Sequence, residues 1–350
     1  MNAKKWIRIF FGLGGISLLW LIVFNIILDS YSILRSDYSN LYREPNQNFI
    51  KMKYLLSKET NYDSFIFGSS RVGKINPDNF KNGIYYNMKY SEGVPREHLE
   101  NIRILINNGY KIKNILIGLD DFSYQVNPDE HIGQHLRKPH YNADSANYSK
   151  EKFYFSYFFT IPSKEDSFRF FKQLIGVQYQ TANFDIYKSG LPIVPETVEN
   201  DIESNVDAHI KNKKFEKPTH YSGDRIEDTI NEIKQIKMIC DENQINLSIF
   251  INPIHKTTYL DTNFDNFQKF KYKLSEITDF IDFSGLNEIT LNNYYYYETS
   301  HYRTIVGDMI AKRLQNEDIN FGNLVSKENI NEHLFNLHKQ IETYKSLKLN

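Results

Sequence analysis

Two short stretches of the chain hold side chains whose chemistry is complementary. One is Gly68-Ser69-Ser70-Arg71, which closes a run of apolar and aromatic residues; the other is Glu298-Thr299-Ser300-His301, far along the chain. A serine hydroxyl is a poor nucleophile until a neutral imidazole accepts its proton, and a carboxylate on the other ring nitrogen fixes the tautomer and stabilises the imidazolium. If the fold brings the stretches together, Ser70 is the nucleophile, His301 the base and Glu298 the acid that orients it. Taken singly, each has a plainer reading: a Ser-rich turn or helix cap for the first, a capping or surface arrangement for the second. The α/β-hydrolase elbow is absent, since G-x-S-x-G needs glycine at Val72. So are a phosphate loop and the His-Glu-x-x-His pattern of zinc enzymes. The single cysteine, Cys240, excludes an internal disulfide or a multi-cysteine metal cage and falls on an apolar helical face. No metal or other cofactor is expected.

The elements around these stretches must position them. Ser64 to Ser70 reads as a buried strand ending in Gly and Ser at a turn, Gly83 to Tyr90 as a second strand and Asn114 to Asp120 as a third. Between the last two, Pro95 opens a helix with Leu99, Ile102 and Leu105 on one face and Gly109 at its end. Ile226, Ile230, Ile233, Ile236 and Cys240 recur at helical spacing and lead into a strand over Ile245 to Pro253. A helix from Phe264, a strand at "DFIDFSG" and a helix after His301 complete the alternation. Strands alternating with helices imply parallel strands covered on both faces, so the expected fold is a three-layer α/β/α sandwich with a mostly parallel sheet. Ligands of such sheets bind beyond the carboxyl ends of the strands, where Ser70 falls.

The N-terminus points to a membrane. Ile9 to Leu28 carries no charge, long enough as a helix to span roughly 30 Å of hydrocarbon. Lys4, Lys5 and Arg8 precede it and Asp29 follows, so the N-terminus is expected in the cytoplasm and the rest outside, periplasmic or extracellular. A cleaved signal peptide competes with this reading, but the run is long for one and no small-x-small site follows it. The expected organisation is an anchor over 1–30, a connector over 31–60 with room for one helix, an α/β domain over 61–315 and a helical extension over 316–350. About a hundred residues, 125–224, interrupt the α/β alternation as an insertion, too long for a plain loop. Within it Ser163 and Asp166 mark a helix start, and the polar remainder reads as a lid or surface segment. The formal net charge of −1 offers no basic face for nucleic acid.

Several residues keep two readings. His255 follows a strand end, where substrate contact and a local structural hydrogen bond are equally open. His131, His135, Arg137, Lys138 and His140 form a basic cluster that reads as a solvated loop, with contact to a polyanionic glycan as the alternative. Tyr294 to Tyr297 fit either stacking on sugar rings or a strand alternating between core and solvent. The C-terminal helix, with Ile330, Leu334, Leu337 and Ile341 on one face, is suited to packing on the domain or recruiting a partner.

A Gly-x-Ser turn after the first strand and an acid-x-x-His before the last helix resemble the two ends of the SGNH (GDSL-like) hydrolase superfamily. The layout is most similar to membrane-anchored members that serve cell-envelope acylation, in teichoic-acid D-alanylation and alginate O-acetylation. The resemblance covers roughly residues 60–315 and implies Ser70 as nucleophile, His301 as base and Glu298 in place of the usual aspartate. It also implies an oxyanion hole from the Ser70 amide, the Gly93 amide and position 120, where Gly118-Leu119-Asp120-Asp121 stands for Gly-x-Asn-Asp. An ionised Asp120 cannot donate to an oxyanion, so it must be protonated, turned away or engaged otherwise. The function so implied is a serine esterase or O-acyltransferase, acetyl being the expected group, acting on a cell-envelope glycan or another acylated substrate beside a membrane-bound O-acyltransferase. The alternative is a non-catalytic, membrane-tethered protein of the same fold that binds an acyltransferase or glycan.

Overall fold

The computed structural model describes residues 2–39, 41, 43–57, 60–177 and 183–349. Part of the insertion, 178–182, and four positions of the 31–60 stretch lie outside the described residues. At the centre is a six-stranded sheet built from β1 (Ser64–Gly68), β2 (Tyr85–Asn87), β3 (Asn114–Leu119), β6 (Asn246–Ile251), β7 (Phe280–Asp282) and β8 (Asn323–Val325). A separate hairpin in the insertion pairs β4 (Asn183–Asp185) with β5 (Leu191–Ile193). The central order is β2-β1-β3-β6-β7-β8, parallel throughout except for β8, which runs antiparallel to β7 at the edge. From β1 the chain first adds β2 on one side and then β3 on the other. This reversal opens a crevice at the carboxyl ends of β1 and β3.

Alternation along each strand sorts the core into two layers. Phe65 and Phe67 of β1, Ile115, Ile117 and Leu119 of β3, and Ile249 and Ile251 of β6 share one cluster with the helices Pro95–Asn107, Ile226–Glu242 and Phe264–Ser275. Ile66, Leu116 and Phe250 point the other way, onto Val306 and Ile310 of the helix Thr304–Leu314. The molecule is thus the expected α/β/α arrangement, and Cys240 is buried in it. Each expected strand forms, shortened at its ends. The C-terminal helix Ile330–Leu349 packs on the domain through the buried Ile330, Leu337 and Ile341.

The first helix, α1 (Ala3–Leu28), is the one described helix long and apolar enough to cross a membrane. The stretch after it, read from sequence as a connector, carries α2 (Gln47–Ser57), with Phe49, Ile50 and Met52 fully buried. Phe49 and Ile50 join Phe153, Tyr157 and Ile186 of the insertion in a third apolar cluster. The one helix allowed for in the connector forms, but its packing is hidden in the sequence because α2 buries polar side chains too, Gln47, Asn48 and Lys51 among them, which obscures the apolar stripe of a packed helix.

Candidate active site

Ser70 follows β1 at the start of a 3-10 turn, Ser70–Lys74, whose cap is Ser69: its hydroxyl accepts from the Arg71 amide at 3.2 Å. The turn is possible because residue 68 is glycine. Gly68 has φ +151°, and a Cβ there would lie 2.7 Å from Val72 Cγ1 and 2.8 Å from the Gly118 carbonyl of the neighbouring strand. The half-buried Ser70 thus stands at the mouth of the crevice.

His301 arrives from the other end of the chain. Ser70 Oγ lies 2.7 Å from His301 Nε2, although 231 positions separate the two residues. His301 Nδ1 bonds to Glu298 Oε1. A carboxylate there accepts a hydrogen bond from Nδ1–H, which keeps the proton on Nδ1 and leaves Nε2 as the acceptor facing the serine hydroxyl. Glu298 also accepts the backbone amides of Ser300 at 2.6 Å and His301 at 3.0 Å. Burial alone raises the pKa of this carboxyl, but the His301 ring and the two amides outweigh it and hold the group below the usual glutamate range. The extra methylene relative to aspartate lets the carboxylate fold back over its own loop.

That loop is held from several sides. Thr258 donates to the Thr299 carbonyl at 2.9 Å, and Thr299 to the Lys217 carbonyl at 2.6 Å. Arg303 is nearly buried and is clamped by Glu199 and Glu203 of the insertion, at 2.6 Å each. Tyr297 bonds to Glu199 as well, and Lys74 of the Ser70 turn lies over its ring. The insertion is therefore a brace for the His301 loop. Tyr294 to Tyr297 do not form the alternating strand considered from sequence: Asn293–Tyr295 is a 3-10 turn, and the buried Tyr296 makes an isolated bridge to Tyr302. The His301 loop must turn back on itself, which an extended strand prevents.

Asp120 is engaged otherwise than an oxyanion donor. Its Oδ1 accepts from Arg71 Nη1 at 2.9 Å and from Asn252 Nδ2 at 3.0 Å, and Arg71 Nη1 also reaches Asp121 Oδ1 at 2.6 Å. Arg71 Nε meanwhile donates to the Ser300 carbonyl at 2.8 Å. One buried guanidinium thus joins the Ser70 turn, the end of β3 and the residue before His301. Burial disfavours its charge, but Asp121 and Asp120 more than restore it. The pKa of Asp120 is raised by burial, with Arg71 opposing and Asp121 reinforcing the shift. Nothing in the spacing around Arg71 points to this role. The signal was the Asp120-Asp121 pair at a buried strand end, which calls for a cation nearby.

Gly93 packs against the end of β1. A Cβ on it would come 2.7 Å from the Gly68 carbonyl, so this loop touches the end of β1 and tolerates no side chain. Its N–H has only a long contact, 3.4 Å, to the Tyr90 carbonyl. Neighbouring Glu92, at φ +57°, is paired with Arg137 at 3.1 Å and lies 3.6 Å from the ring of His131, which also meets Glu97 at 3.0 Å. Burial lowers the pKa of His131, but Glu97 and Glu92 outweigh it and raise it to about 9.

Two expectations change. The basic cluster is no solvated loop: His131 and His140 are buried, His140 stacks on Phe49, and Lys138 bonds to Ser156. Carboxylates and carbonyls distant in sequence supply partners that the local pattern does not show. His255 is fully buried, caps its own helix through the Thr257 amide, bonds to Asn293 and stacks on Phe215. It has no face left for substrate, and burial drives its pKa down to about 4. Among the described residues no cluster of three or more His, Cys, Asp or Glu is arranged to hold a metal ion. Comparison with protein-family models and with curated proteins found no match for this chain.

Proposed function

We propose that the protein is a membrane-anchored, outward-facing serine esterase or O-acyltransferase of SGNH type, with acetyl as the group handled and a cell-envelope polysaccharide as its setting. The observation that carries this is the 2.7 Å contact of Ser70 Oγ with His301 Nε2, backed by Glu298 on the other ring nitrogen. In the acylation step Ser70 Oγ bonds to the ester carbonyl carbon while its proton passes to His301 Nε2. The carbonyl oxygen takes the negative charge and is received by the amides of Ser70 and Gly93. As the tetrahedral species collapses, the bond to the leaving oxygen breaks and His301 returns the proton to it. Water or a glycan hydroxyl then repeats the sequence on the acyl-serine. Asp120 is no part of the oxyanion hole in this scheme: it holds Arg71. The basic residues before α1 favour a cytoplasmic N-terminus with the α/β domain outside.

The test is hydrolysis of p-nitrophenyl acetate by the full chain in detergent, beside Ser70→Ala. The variant is expected to lose activity by about 10³-fold or more with an unchanged melting temperature. Equal rates for the two proteins reject the enzyme and leave the tethered binding protein.

A further inference from the structure

Beside the C-terminal end of α1 the insertion carries an exposed apolar surface. Phe159, Ile161, Phe168, Phe171, Leu174 and Ile175 all face outward, with Ile161 84% and Ile175 77% exposed. In the helix Lys164–Leu174 the exposed Phe168 and Phe171 fall on one stripe. Its Asp166 turns the other way, onto Arg43 at 2.6 Å. A contiguous apolar surface of this kind marks an interaction site.

Contacts with α1 fix the height of this surface. Asn25 Nδ2 donates to the carbonyls of Phe158 and Thr160, at 2.7 Å each. The ring of Phe24 lies 6.0 Å from that of Phe170 and 6.1 Å from that of Phe171. Phe24 and Asn25 precede Leu28, the end of the uncharged run, by one helical turn, which is about 5 Å at the rise of an α-helix. Whatever surrounds the last turns of α1 therefore also surrounds Phe168, Phe171 and Ile175.

We propose that residues 159–175 form a second membrane-contacting element, with the apolar stripe seated among the acyl chains at the outer-leaflet interface beside α1. This rests on α1 spanning the bilayer. Lipid is the favoured occupant because the stripe is continuous with the exposed apolar surface of α1 itself, where Val23, Ile26 and Ile27 are open. An interfacial helix of this sort settles about 5–10 Å into the headgroup and acyl boundary, the depth that Phe24 implies. Asn25 supplies donors to two loop carbonyls that water cannot serve at that level. The element makes a second point of attachment and so restrains rotation of the crevice about the α1 axis.

The test uses indole quenching by lipids brominated on the acyl chain, with the full chain reconstituted into pure lipid vesicles. The only tryptophans, Trp6 and Trp20, lie in α1 and report the anchor by themselves. A chain with Trp6→Phe, Trp20→Phe and Phe168→Trp reports the element, and a second with Ile161→Trp in place of Phe168→Trp guards against a folding defect at one position. Both introduced indoles are expected to lose at least about two-fold in emission in the brominated vesicles, as the native indoles do. Quenching of the native indoles without the introduced ones overturns the proposal and leaves the anchor standing, and is also what a protein occupant predicts. Quenching of neither overturns the anchor and the proposal together.

Discussion

Arg71 and Lys271 are both buried cations set against carboxylates at the carboxyl edge of one sheet, and they do different work. Arg71 serves two carboxylates, Asp120 and Asp121, and uses Nε to hold the Ser300 carbonyl beside His301. Lys271 serves one, Asp282 at 2.8 Å, with Ser284 at 2.7 Å, while His333 of the C-terminal helix reaches the same Asp282 oxygen at 2.8 Å. The charge balance is opposite. Burial raises the pKa of Asp120, and Arg71 does not fully offset it. Burial favours the neutral acid at Asp282 too, but Lys271 and His333 outweigh it and its pKa is lowered. A cation matched by one carboxylate staples helices to the sheet. A cation outnumbered by carboxylates, with a further N–H given to a loop carbonyl, positions the site.

The largest effect that can break this contrast comes from Asp282→Ala, which strands the Lys271 ammonium in the core. It is expected to lower the unfolding free energy by about 3–5 kcal/mol in urea titrations, with turnover per folded molecule unchanged. A drop in turnover at full stability defeats the assignment of a staple. Arg71→Lys comes next. A lysine is a point charge and cannot hold the Ser300 carbonyl and the carboxylates together. Turnover on p-nitrophenyl acetate is expected to fall about 10–100-fold with little change in KM. A lower melting temperature with turnover intact reduces Arg71 to a second staple.

The smallest effect is that of Asp120→Asn, which removes the excess charge and leaves Arg71 paired with Asp121. Stability at neutral pH is expected to change by less than about 1 kcal/mol. The pH dependence gives the sign. The folded pKa of Asp120 lies above its unfolded value, so its ionised form costs stability at higher pH; the cost shrinks as pH falls below the folded pKa and is gone below the unfolded one. Asp282 is the reverse: its contribution is present above the unfolded value and is lost as pH falls through its lowered pKa. Unfolding measured against pH should lose its acid limb in Asp282→Asn. In Asp120→Asn it should lose the decline that begins as pH rises above the ordinary aspartate range.

Much of the site was legible because strand ends and helix starts are local features. Ser70 after an apolar run and His301 before an amphipathic one reveal themselves by spacing, and Glu298 by its place three positions ahead. Arg71 stayed hidden because its partners come from β3, β6 and the Ser300 loop, and a buried charge declares itself only when they meet. His255 kept two readings for the converse reason: a histidine after a strand end looks open until Phe215 closes over it.

The order of strands and helices, the apolar span of α1 and the residue types at the crevice are set by the sequence itself. Hydrophobic period and turn chemistry act over a few residues and are readable there. The tertiary structure alone decided that Ser70 and His301 touch, that Asp120 is bound to Arg71, and that the insertion braces the His301 loop while exposing an apolar stripe beside α1. Each of these depends on which groups lose water together, and burial is a property of the assembled chain.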